Sequence, residues 1–144
     1  MTLYIRDPLD AEIRFTAGAT PQVLAGTAWC SAVTNGSDIE LMSSRLNEVQ
    51  VDGEACVLEL SPPAEVVHDG QGQVILIGSC GRLLLRLLSA GDLEVALAGD
   101  HLELHVLGPG CVDLRRSRFS TIAVRMKGPG EIVAGQGQIL EYID

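Results

Sequence analysis

Two histidines flank a glutamate in the alternating run His101-Leu102-Glu103-Leu104-His105, the most suggestive local grouping of metal-ligating and acid-base side chains in the chain. Two imidazoles and a carboxylate form a zinc-ligand set when each stands roughly 2 Å from one ion. Strand geometry works against that here. Alternate residues share a face but stand about 6.8 Å apart, and the two histidines about 13 Å, at roughly 3.4 Å per residue. The run therefore reads as an exposed strand face, and no metal ligand is assigned. A shared metal would need a subunit axis beside this strand.

The other chemistries are weaker still. Glu94, Glu103 and Asp113 fall on neighbouring strands and offer the paired carboxylates of polysaccharide cleavage, but an acidic chain supplies such pairs by chance, and the loops are too short to wall a substrate groove. A nucleophilic triad needs a histidine oriented by a carboxylate, and none of His68, His101 and His105 sits in such a motif. His68 shares a repeat position with Leu87, Val106 and Met126, so it is expected to pack half-buried. Gly135-Gln136-Gly137 lacks the lysine and following helix of a phosphate loop. No catalytic residue and no cofactor is assigned, and the chain is expected not to be an enzyme.

These side chains must be carried by strands. Short runs of alternating apolar and polar residues, such as Gln73–Ile77, Arg82–Leu88 and His101–Leu107, arrive about every ten residues between Gly, Pro, Asp and Asn turns. No stretch of helical length keeps a 3.6-residue period. Sliding the chain on itself exposes a repeat: Gly53, Gly72, Gly91, Gly110 and Gly130 fall at steps of 19, 19, 19 and 20. Aliphatic columns follow them at Ala55, Val74, Leu93, Val112 and Ile132, and precede them at Ala64, Leu83, Leu102 and Ile122. The columns between are mixed, as in Arg86, His105 and Arg125, and form the solvent side. One buried and one exposed face per strand, stacked like on like, is what a coil of a solenoid requires.

The period predicts one all-β domain over residues 1–144, with 1–50 as irregular N-terminal cap and strands and 51–144 as the repeat region. The favoured architecture is a right-handed parallel β-helix with coils of 19–20 residues. The alternative is an antiparallel β-meander or sandwich, in which each repeat is one hairpin. Turns such as Gly108-Pro109-Gly110 and Gly128-Pro129-Gly130 supply the corners, with Gly110 expected at positive φ.

The run Gly108-Pro109-Gly110-Cys111-Val112-Asp113-Leu114 and its echo Gly128-Pro129-Gly130-Glu131-Ile132 resemble the glycine punctuation of the auto-transporter adhesin head domains, often called GIN domains, over roughly residues 45–140. More distantly, the chain resembles bactofilins. Both families are β-helical, and the resemblance implies a structural or interaction role and contributes no catalytic residue.

Composition narrows the partners. A net charge of −9 argues against non-specific nucleic-acid binding, which needs a basic face, and the cluster Arg115, Arg116 and Arg118 reads as a solvated edge. No segment approaches the roughly 18 apolar residues that span a membrane. The N-terminus has no signal-peptide pattern, so the expected setting is cytoplasmic, with a virion-associated or trimmed surface domain as the alternative. Cys30, Cys56, Cys80 and Cys111 are widely spaced and expected to be reduced. Apolar residues outside the inner columns motivate an interaction face of Leu84, Leu88, His101, Glu103, His105 and Leu107. Its expected partner is a second copy or another protein, with carbohydrate as the alternative ligand.

Overall fold

The computed structural model describes residues 1–6, 10–25, 30–36, 38–43 and 56–143, and among them there is no helix. The strands are β1 (Thr2–Arg6), β2 (Ala11–Phe15), β3 (Gln22–Ala25), β4 (Cys30–Asn35), β5 (Asp38–Ser43), β6 (Cys56–Leu60), β7 (Glu65–Asp69), β8 (Val74–Ser79), β9 (Arg82–Leu87), β10 (Leu93–Val106), β11 (Cys111–Asp113), β12 (Arg118–Met126), β13 (Glu131–Val133) and β14 (Leu140–Tyr142). All belong to one mixed sheet, nearly closed and barrel-like, wrapped around a single apolar core. Trp29, the run 48–51 and the repeat positions Gly53 and Ala55 lie outside the described residues.

The repeat columns become ladder neighbours. Val74 pairs with Leu93, Leu93 with Val112 and Val112 with Ile132. Leu83 likewise pairs with Leu102, and Leu102 with Ile122. All these ladders are parallel, and antiparallel pairing among the described strands is confined to β3 with β6 and β4 with β5. The reason lies in the side chains. Period-two alternation turns Leu93, Val95 and Leu97, then Leu102, Leu104 and Val106, into the core along β10. Stacking equivalent positions one layer apart buries each aliphatic against its own kind, at roughly 1.5–3 kcal/mol per fully buried side chain.

The pairings sort into two outward faces. One carries β6, β2, β8, the first half of β10, β11 and β13; the other carries β5, β1, β7, β9, the second half of β10, β12 and β14. Within the N-terminal segment, β1 and β2 do not sit at the end of this arrangement, whereas β3, β4 and β5 do. β1 lies between β5 and β7, and β2 between β6 and β8, so the first two strands are threaded between layers formed by later sequence. Leu3, Ile5, Ala11, Ile13 and Phe15 are buried, which requires apolar layers on both sides. The end of the sheet is instead closed by β3 and by the hairpin of β4 and β5 at Gly36, a glycine at φ 65°.

Gly110 does not have a positive φ; the described glycines that do are Gly18, Gly36, Gly78 and Gly137. Gly110 is required for another reason. A Cβ there would run into the carbonyl of Gly91, as one at Gly91 would run into those of Gly70 and Gly72. The corner column is glycine because successive layers meet there backbone to backbone.

Candidate functional site

On the outward face of β7, β9, β10 and β12, parallel pairing lines residues up in columns. Glu65, Leu84, Glu103 and Ala123 form one, Val67, Arg86, His105 and Arg125 the next, and Arg82, His101 and Thr121 a third. A shallow groove of about 250 Å³ opens among them, lined by Ala64, Arg82, Leu83, Leu84, His101 and Glu103. Three of the sequence-predicted face residues, Leu84, His101 and Glu103, therefore meet at one depression. His105 stands beside it, its Nε2 3.4 Å from Glu103 Oε1. Leu88 and Leu107, 37% and 38% exposed, are separate from the groove; Leu107 N–H donates to Leu87 C=O at 2.9 Å.

Two groove-side residues escaped the sequence reading. Arg82 lines the groove, and Thr121 Oγ1 shares a 2.6 Å hydrogen bond with His101 Nδ1. Both stand one repeat from His101, so the glycine period was the signal that could have found them. Among the described residues no group of three or more His, Cys, Asp and Glu side chains is arranged to hold a metal ion.

The carboxylates suspected of acting together are split. Glu94 and Asp113 are ladder neighbours on the opposite outward face from Glu103. Arg116 pairs with Glu94 at 3.4 Å, and Arg115 clamps Asp113 through Nε and Nη2, the shortest contact being 2.7 Å. The hydrogen-bonded Arg115 guanidinium holds the Asp113 carboxyl below its usual range, the opposite of what a general acid needs. Arg115 and Arg116 are thus charge partners at the face edge, and Arg118 is exposed.

His68 is fully buried, deeper than its expected half-buried position, in the column of Ile5 and Leu87. Its Nε2–H donates to Gly72 C=O at 2.9 Å, while Nδ1 is buried without a hydrogen-bond partner. Burial lowers its pKa from the ordinary 6.5, opposed by the carbonyls of Gly72, Ile5 and Asp92 and by the Asp69 charge. It is a neutral core group tying down a corner. The thiols are muted as well: burial, helped by Asp100, pushes Cys80 up to about 11, and burial raises Cys111. Both are free, whereas Cys56 is disulfide-bonded, which corrects the expectation of four reduced cysteines.

No family model matches the chain, and no curated protein matches it. Its residues alone carry the functional reading. Among the described residues, no helix is long and apolar enough to cross a membrane.

Proposed function

We propose that this chain is a non-enzymatic structural or protein-interaction protein, a right-handed parallel β-helix with 19–20-residue coils that associates with copies of itself. The parallel ladders offset by one repeat support the solenoid reading, in keeping with the resemblance to adhesin head domains and bactofilins. The observation that carries self-association is the C-terminal end of the sheet. There, among the described residues, β13 pairs only with β11 and β14 only with β12, and Ile139 and Tyr142 are 86% and 64% exposed. Unpaired strand edges beside uncovered apolar side chains are a template for another chain.

Sedimentation velocity across a concentration series tests this. The expected outcome is a mass that rises with concentration and returns to monomer in Ile139→Lys/Tyr142→Lys. A strict monomer at every concentration overturns it. Loss of assembly in Leu84→Asp instead would move the contact to the groove face.

A second reading, a carbohydrate-binding module, is favoured by the groove itself, where Arg82, His101 and Glu103 present polar groups around the apolar Leu84. Saturable glycan binding lost in Glu103→Gln would support it. As to compartment, the disulfide at Cys56 favours a surface or virion-exposed setting over the cytoplasm, where thiols are kept reduced.

A further inference from the structure

Among the described residues, three of the four buried side-chain nitrogens that lack a hydrogen-bond partner stand in one column: Arg86 Nε, His105 Nε2 and Arg125 Nε. They occupy adjacent parallel strands, Arg86 opposite His105 and His105 opposite Arg125. Two arginines thus flank one imidazole on the same face. The compensation in place is thin. Glu65 reaches Arg86 only at 3.5 Å and Glu103 reaches His105 only at 3.4 Å, while Arg125 has no carboxylate partner among the described residues. Lys127 lies just beyond. In a chain of net charge −9, this is a local surplus of cations.

From these observations we propose that the Arg86–His105–Arg125 column is a binding site for a tetrahedral oxyanion, a sulfate or phosphate group. Guanidinium forks take oxyanions at N···O distances of about 2.7–2.9 Å, which sets the central atom roughly 4 Å from each guanidinium carbon. Strands about 4.8 Å apart put the backbones of Arg86 and Arg125 roughly 10 Å from each other, a span that two guanidinium side chains can bridge around one anion. His105, its side chain only 12% exposed, forms the floor. The anion meets the outer ends of the arginine side chains, that of Arg86 being 43% exposed, and adds negative charge to what Glu65 and Glu103 supply from one side. This site stands on different residues from the C-terminal edge and holds whether or not the chain self-associates.

The test titrates the intact chain with sodium sulfate and sodium phosphate against sodium chloride at equal ionic strength, read by ¹⁵N–¹H correlation spectra that include the arginine Nε–H signals. Saturable shifts are expected at Arg86 and Arg125, with affinity falling at least about tenfold in Arg125→Gln and unchanged in Arg116→Gln on the opposite face. Arg125→Lys keeps the charge without the fork and is expected to weaken binding partially, so it carries the test should Arg125→Gln fold poorly. A response no different from chloride, or equal affinity in wild type and the Arg125 variants, overturns the site. A sulfated disaccharide then distinguishes the source. Binding at least about tenfold tighter than inorganic sulfate identifies a group borne on a saccharide, and equal binding identifies the free ion; either supports the site.

Discussion

The two ends of the sheet are finished differently. At one end the parallel ladders give way to antiparallel strands: β3 turns back along β6, and β4 along β5. At the other end they stop on β13 and β14, three residues each, still parallel to the strands beneath. Tyr142 continues the inward column of Val124, Leu104 and Leu85, all buried, yet is itself exposed. Ile132 and Leu140, the last residues of their columns, pack against the core but are only partly buried. A reversal of strand direction ends the ladders on one side, where β3 and β4 still expose Val23, Leu24 and Val33, whereas the other side stops on parallel strands with its final apolar layer uncovered. The antiparallel end also protects β1 and β2, which sit one layer in.

The sharpest way to break this contrast is to truncate one core residue at each end. Ile13→Ala in β2 is expected to cost about 2–5 kcal/mol, because its buried site cannot collapse between two layers. Tyr142→Ala should stay within about 0.5 kcal/mol, as for an exposed position. Urea unfolding midpoints measure both, and equal losses would show that the C-terminal layer is as enclosed as the N-terminal one.

Next in size, Gly110→Val is expected to destabilise by about 1–3 kcal/mol or more, since the obstructing atom is the Gly91 backbone carbonyl and cannot rotate away. An unchanged melting temperature would refute the backbone-to-backbone corner.

The smallest expected effect is a pH dependence at His68, beside the antiparallel end. A base whose folded pKa lies below its unfolded value binds fewer protons when folded. Its contribution is therefore intact above the unfolded pKa of about 6.5 and is lost as pH falls below that value toward the lowered folded pKa. His68→Leu should flatten the wild-type decline in stability below pH 6.5, measured by urea melts across pH. An identical slope in the two proteins would mean that His68 is not held neutral.

Much of this fold was legible because parallel stacking makes residues one period apart into neighbours. Val74, Leu93, Val112 and Ile132 could be aligned from glycine spacing alone, and they pair accordingly. The order of layers was not legible. Alternation in Thr2–Arg6 and Ala11–Phe15 says which side chains face the core, but periodicity carries no information about which strands a short segment will slip between. The assignment of carboxylates to faces was legible only in part. Between Glu94 and Glu103, within one continuous strand, the inward positions shift from Leu93, Val95 and Leu97 to Leu102, Leu104 and Val106, which marks a change of face but not which strands lie on each. Leu84, His101 and Glu103 were legible as exposed strand positions, but the groove they share with Arg82 depends on neighbouring layers.

The threading of β1 bears on how the molecule resists force. A chain stacked in sequence order can be peeled from either terminus one strand at a time. Here a pull on the N-terminus must shear β1 from β5 and β7 together, tearing two ladders in the same event. Among the described strands, a pull on the C-terminus meets a single seam, that between β14 and β12. The molecule is accordingly expected to be mechanically lopsided, yielding at a lower force from its tail than from its head.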